Sequence, residues 1–229
     1  MLTTKPASSD AKHWLRVLVC SGSFAVILLL PFLLLPKGVY WLLAAVLLLP
    51  VIPVLESLLL TPLYRLSGRF VYYSNMLLLT RSANGLELHA GTLFDYVSYL
   101  RWHERGPKAQ FKVTRQLLQG LLALCDDIEQ GKIAPGTAIS ATSYFFSNRT
   151  AAKLGFTADK VAPMQWLNLM LVAVSLALRL SLIKGRCSWP DLRQIRHIHT
   201  TAGHLLAQRA TIMRLLKMPI TQQKKRDKL

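Results

Sequence analysis

Acidic residues are scarce in this chain, with 11 Asp and Glu against 28 Lys and Arg, so that 229 residues carry a net charge of +17. Cysteine is scarce too, and three cysteines are too few for a small secreted fold held together by disulfides. Hydrophobic residues make up 52% of the chain. A chain with such a high fraction of apolar residues is not intrinsically disordered, even at this net charge.

Recognisable cofactor motifs are also missing. The sequence contains neither Gly-x-x-x-x-Gly-Lys-Ser/Thr nor Gly-x-Gly-x-x-Gly, the two common phosphate-binding loops. Cys125 and Cys187 lack the spacing of a zinc or redox motif. We therefore expect no cofactor and no metal.

Two long apolar runs are present near the N-terminus. The first, 17–36, has no charged residue, and the second, from residue 39, is interrupted only by Glu56. A helix needs about 20 apolar residues to cross a bilayer. The runs predict two transmembrane helices at about 16–36 and 39–60, joined by a tight turn, and their length disfavours a cleaved signal peptide.

Basic residues flank this pair and predict its orientation. Three precede the first run, one lies in the turn, and 24 of the 28 Lys and Arg follow residue 60. By the positive-inside tendency, both termini face the cytoplasm. The predicted fold class is thus a membrane protein, mainly α: a two-helix transmembrane hairpin (1–63), a basic α-rich (α+β) cytoplasmic domain (64–220) and a basic tail (221–229). The predicted location is a bacterial-type inner membrane, crossed more than once.

Several shorter elements are expected after the hairpin. The patterns predict a strand at 86–90, a helix from Thr92 to His103, a helix at 111–130, a strand at 138–146 and a short helix ending at Gly155.

Residues 162–183 are apolar enough to resemble a third span. A third crossing would place the basic C-terminal residues outside the cell, against the positive-inside tendency, so a buried or membrane-lying helix is favoured. A further helix is predicted to begin at Ser188 and to continue to Leu216, with Pro190 in its first turn.

The segment 87–95 is the most enzyme-like part of the sequence. His89 precedes a helix start that carries Thr92 and Asp95, and a histidine near a carboxylate can perform acid–base chemistry. The alternative is structural, because Thr92 and Asp95 have the spacing of a capping box.

Two weaker sites are suggested by spacing. Ser147, Asn148 and Arg149 at a helix start could bind an anion, although simple capping is the favoured explanation. His197 and His199, if helical, lie about 200° apart around the axis and cannot share a metal ion.

The C-terminal basic residues are the strongest binding signal. They are expected to contact a partner or an anionic inner leaflet rather than nucleic acid. These residues are Arg193, Arg196, Arg209, Arg214, Lys217, Lys224, Lys225 and Arg226.

The sequence therefore predicts a non-enzymatic protein that binds or blocks another membrane protein, or a secretion or conjugation apparatus, as an exclusion- or immunity-like accessory factor does. Two alternatives remain open. One is a membrane-tethered enzyme acting on a lipid or phosphorylated substrate through His89 and Asp95, and the other is a membrane-anchored nucleic-acid binder.

Overall fold

A computed structural model describes the chain from residue 48 to residue 217 with short gaps. The described ranges are 48–66, 68, 70–82, 85–101, 103–143, 148–159 and 163–217, together with scattered residues between 19 and 46. The basic tail at 221–229 and its Lys224, Lys225 and Arg226 lie outside these ranges.

The predicted fold class is wrong for the described residues. No helix within these ranges combines the length and apolarity that a bilayer crossing requires. This finding contradicts the transmembrane hairpin and the multi-pass inner-membrane location, and the six-stranded sheet described below contradicts the mainly α architecture. The first predicted span, 16–36, and most of the second fall on residues that are not described continuously. The described end of the second span belongs to short helices instead.

These first helices are α1 (Ile52–Leu55), a π-helical turn (Glu56–Leu60) and α2 (Thr61–Leu66). Pro53 lies in the first turn of α1, where its missing N–H costs no hydrogen bond. In the π-helical turn, the Ser57 hydroxyl accepts a hydrogen bond of 2.8 Å from the backbone N–H of Leu93. The helical stretch is thereby joined to the helix that starts at residue 93.

The centre of the fold is a six-stranded mixed sheet. Its strands are β1 (Val71–Ser74), β2 (Leu77–Ser82), β3 (Gly85–Ala90), β4 (Ala138–Ser143), β5 (Thr157–Asp159) and β6 (Arg196–Thr201). Their spatial order is β1-β2-β3-β4-β6-β5, and only the β3–β4 pair is parallel. The crossover between these two strands is helical, as a parallel connection requires.

The remaining helices are α3 (Leu93–Tyr99), α4 (Pro107–Glu129), α5 (Asn148–Lys153), α6 (Pro163–Lys184), α7 (Ala202–Ala207) and α8 (Arg209–Lys217), with a 3-10 turn at Leu192–Gln194. Helix α4 packs against β1 and β2 of the sheet and against α6, α7 and α8. The main core forms between these layers, around buried residues such as Leu79, Tyr96, Leu121, Ile139 and Leu205.

Several predicted elements are confirmed. The strand at 86–90, the helices at 111–130 and 162–183, and the left-handed Gly155 are all present. Strand β4 confirms the described part of the 138–146 prediction. The helix from Thr92 is present but ends at Tyr99 rather than His103, because Leu100 is already extended.

The long helix predicted from Ser188 to Leu216 is wrong. Asp191 caps only a 3-10 turn, and the chain then enters β6 before α7 and α8. In β6 the residues alternate, with Ile198 and Thr200 buried and His199 exposed. An alternating strand pattern therefore interrupts what resembled one helical stripe.

Candidate functional site

The sheet has an apolar face and a face that carries polar side chains. Leu79 pairs with Leu88 and Ala141 pairs with Ile198, which places these apolar residues on the α4 side. Because side chains alternate along a strand, their neighbours point the other way. We call this second surface the polar face. Its members are Thr80, Glu87, His89, Ser140, Thr142, Thr157, Asp159, His197 and His199.

His89 lies on β3 and its partners are on the sheet, so that its catalytic role stays a prediction. Its Nε2 lies 2.9 Å from the hydroxyl of Thr80 and 3.7 Å from Oε2 of Glu87. Burial lowers the pKa of His89; the nearby Arg179 acts in the same direction and Glu87 opposes both. The imidazole is therefore held in its neutral form near pH 7.

Asp95 is used structurally. Its carboxylate accepts hydrogen bonds from the backbone N–H and the hydroxyl of Thr92, at 2.7 and 2.8 Å, and completes the capping box of α3. It also accepts from the Tyr72 hydroxyl, while Arg65 lies over the Tyr72 ring. Burial raises the pKa of Asp95, and these hydrogen bonds oppose that rise. Within the described chain, no hydrogen bond or ion pair joins Asp95 to His89.

Arg179 connects α6 to this region. Its Nη1 donates to the carbonyl of Gly91 at 3.2 Å, and its Nε donates to the carbonyl of Ser175 at 3.4 Å. The guanidinium thus joins α6 to the carbonyl that follows β3, and it places a positive charge near His89.

His199 has a different arrangement from His89. Its Nε2 lies 2.7 Å from the hydroxyl of Thr157, and its Nδ1 lies 3.3 Å from Oδ2 of Asp159. The imidazole thus bridges a hydroxyl and a carboxylate through its two different nitrogens. At His89, by contrast, the hydroxyl and the carboxylate approach the same nitrogen.

The helical argument about His197 and His199 is wrong, because both residues belong to β6. Two positions apart on a strand, they point to the same face, and His197 lies directly opposite Asp159. Among the described residues, however, no group of three His, Cys, Asp or Glu could hold a metal ion.

The predicted anion site lies only partly within the described chain. Ser147 falls outside it, Asn148 begins the six-residue helix α5, and Arg149 is exposed. Anion binding at this position stays a prediction.

The described residues of the predicted basic surface are of two kinds: those that contact other residues of the protein and those that are exposed to solvent. Arg209 is engaged with Asp126 at 2.6 Å and Glu129 at 3.2 Å, so it fastens α8 to α4. Arg196 donates to the carbonyl of Arg193. The members exposed to solvent are Arg193, Arg214 and Lys217.

Helix α6 exposes apolar side chains that the sequence analysis did not single out. Met170, Leu171 and Leu178 are 47%, 39% and 41% exposed, and Val174 is half-buried between them. Intervals of three, four and seven residues place these four on the same side of a helix. We call them the apolar side of α6. The only signal in the sequence is that polar residues are few in 162–183.

The opposite side of α6 is buried, which explains why apolar residues occur on both sides of the helix. Leu169 and Leu176 pack with Ile195 in a second small core, and Ile183 reaches the main core.

Compared with known protein families, curated proteins and solved structures, the chain matches none.

Proposed function

We propose that this protein acts by binding another protein through the apolar side of α6. The exposure of Met170, Leu171 and Leu178 supports this proposal. A contiguous apolar patch on a folded domain typically marks an interaction surface, because leaving it in water costs free energy that a partner can recover. Helix α6 has 22 residues and is about 33 Å long, which is enough for a partner helix to lie along it.

The surroundings of the patch indicate the chemistry of the partner. Lys184 and Arg186 are exposed at the C-terminal end of α6, and Trp189 is 65% exposed nearby. Exposed tryptophan is a common anchor in interfaces, and basic residues at the rim select acidic partners. The partner is therefore an apolar helix with acidic residues at one end.

This proposal keeps the part of the predicted function that concerns binding. An exclusion- or immunity-like accessory factor that binds or blocks a secretion or conjugation apparatus would need such a surface. Enzymatic action through His89 and Asp95 receives less support, because Asp95 already accepts three donor groups.

Site-specific photo-cross-linking in the native host tests the proposal. A photoreactive phenylalanine analogue at position 178 of the full chain is expected to yield one defined adduct, whose partner peptide is identified by mass spectrometry as an apolar helix flanked by acidic residues. The matched control places the same analogue at Met213, which is 39% exposed on α8.

The purified partner then allows a quantitative test. Leu178→Glu should weaken binding at least tenfold, whereas Met213→Glu should not. The double substitution Lys184→Glu and Arg186→Glu should weaken binding more at low salt than at high salt, because salt screens exposed charges. Adducts to a second copy of this chain, or equal adducts from positions 178 and 213, would contradict the proposal.

A further inference from the structure

A second site, at the edge of the sheet, goes beyond the proposed binding function. It consists of Thr157 and Asp159 on β5 and His199 on β6. Thr157 lies directly opposite His199 in the antiparallel register, and Asp159 lies opposite His197. All three side chains are therefore on the polar face.

We propose that Thr157, His199 and Asp159 form a nucleophilic site that transfers the acyl group of a small, activated carboxylic ester to the Thr157 hydroxyl. The motivating feature is the order of contacts: hydroxyl, imidazole, carboxylate. A nucleophile within hydrogen-bond reach of a base, with the base oriented by a third group, is the general signature of an activated hydroxyl.

The two nitrogens of His199 have separate roles in this arrangement. Asp159 is 3.3 Å from Nδ1 and favours the tautomer with the proton on that nitrogen. The lone pair of Nε2 then faces the Thr157 hydroxyl at 2.7 Å. The hydroxyl also donates a hydrogen bond of 3.0 Å to the backbone carbonyl of His199, and transfer of its proton to Nε2 breaks this bond.

The local fold holds β5 in place. Gly155 ends the preceding turn with φ of +81°, and its carbonyl accepts a 2.7 Å hydrogen bond from the Thr200 hydroxyl. Phe156 is buried in the main core. The residues just before Thr157 are thus held in place, and this keeps the Thr157 hydroxyl next to His199.

The site is open to a substrate. Thr157, Asp159 and His199 are exposed, and β5 is the last strand of the sheet that the structure describes. Backbone N–H groups on the outer side of an edge strand have no strand partner, and such donors can stabilise a developing oxyanion. A small ester can reach this place without any opening of the fold.

The reaction consumes only the ester and water. As the Thr157 Oγ bonds to the ester carbonyl carbon, its proton passes to Nε2 of His199 and the carbonyl electrons move to oxygen. When the carbonyl reforms, the bond to the leaving oxygen breaks and that oxygen takes the proton from Nε2. Water then attacks the acyl-threonine, giving its proton to Nε2; the Thr157 oxygen leaves, recovers that proton and releases the carboxylic acid.

The test uses the full chain and p-nitrophenyl acetate. Wild-type protein should release nitrophenol faster than buffer and should carry an acetyl group on the peptide that contains Thr157, found by mass spectrometry after acid quenching. His199→Ala should lower the rate by about tenfold to hundredfold. This effect lies at the low end of what a general base contributes, or below it, because the site is exposed to water.

Matched variants separate catalysis from folding. Thr157→Ser should retain acetylation and Thr157→Val should abolish it, while His204→Ala, at an exposed histidine on α7, should leave the rate unchanged. Each variant is first shown to melt as wild type does. Wild-type rates in folded His199→Ala and Thr157→Val, or acetyl groups only on lysines, would overturn the proposal. Leu178→Glu should not affect this reaction, so the two proposals fail independently.

Discussion

Asp95 is a buried carboxylate whose hydrogen bonds serve to hold two elements of the fold together. The groups that donate to it are the Thr92 backbone and hydroxyl and the Tyr72 hydroxyl, which tie β1 to the start of α3. Each donor loses its partner if the carboxylate is removed, and an unsatisfied buried donor costs more than a solvated one.

Asp95→Ala is therefore expected to destabilise the protein by about 2–3 kcal/mol, the sum of a lost cap and an unsatisfied donor. Asp95→Asn keeps one carbonyl acceptor and should cost about half as much. Urea unfolding of both variants measures the difference. Equal stability of Asp95→Ala and wild type would show that these hydrogen bonds contribute nothing.

Gly85 marks a position where only glycine fits. Its φ is +137°, and a Cβ there would overlap the backbone carbonyl of Ala138 on the neighbouring strand. Gly85→Ala should destabilise the fold by more than about 1 kcal/mol, because neither strand can move without losing its partners. Gly136→Ala, where the space is open and φ is not positive, is the matched control and should be nearly neutral in the same thermal melts.

The sequence could identify some site residues but not their partners. His89 and Asp95 stand out because they are close along the chain and near a helix start. The hydroxyl–imidazole contact at the sheet edge joins residues 42 positions apart, and only the strand register brings them together. The sequence predicted a helix at His199. On a helix, His197 and His199 would point to opposite sides, whereas on β6 they point to the same face.

At the scale of elements, local signals were enough where one pattern dominated. Helix α4 has apolar residues at helical spacing and a glycine stop at Gly131, so both its existence and its end were predictable. Strands β1 and β2 were not among the predicted elements. Leu77, Leu78 and Leu79 are all buried, so β2 shows no alternation by which a strand could be recognised.

Helix α4 also carries a glycine in its interior, which permits its close approach to β2. A Cβ at Gly120 would lie 2.7 Å from Cβ of Leu77 and 3.0 Å from Oγ of Ser74. Gly120→Ala gains about 1 kcal/mol of helix propensity but should cost about 1–3 kcal/mol through overpacking.

The net loss should appear as a lower urea midpoint. Gln110→Ala, at an exposed position on the same helix, is the control and should change the midpoint little. A higher midpoint for Gly120→Ala would mean that α4 can move away from β2 without cost.

For the whole molecule, the two described cysteines report on folding. Cys125 is buried, burial raises its pKa to about 11, and its Sγ donates to the Leu205 carbonyl at 3.8 Å. Cys187 is exposed. Iodoacetamide should therefore alkylate Cys187 quickly, whereas Cys125 should react only at the rate of global unfolding.

The raised pKa of Cys125 also predicts a pH dependence of stability. The unfolded thiol ionises near its ordinary value of 9.0, while the folded thiol stays protonated to about pH 11. The folded state binds more protons in that window, so stability should fall as the pH rises from 9 to 11. Comparison with Cys125→Ala isolates this contribution, and parallel curves for the two proteins would exclude it.

The strand order has a consequence for biosynthesis. Strand β6 is the last of the described strands along the chain, yet it lies between β4 and β5. A nascent chain that has left the ribosome as far as residue 195 contains the other five described strands, but β5 has not met its neighbour and β4 keeps an open edge. The sheet is completed by insertion into its interior, only after residue 201 of 229 has been translated. Until then, the exposed edges make the nascent chain a substrate for chaperones.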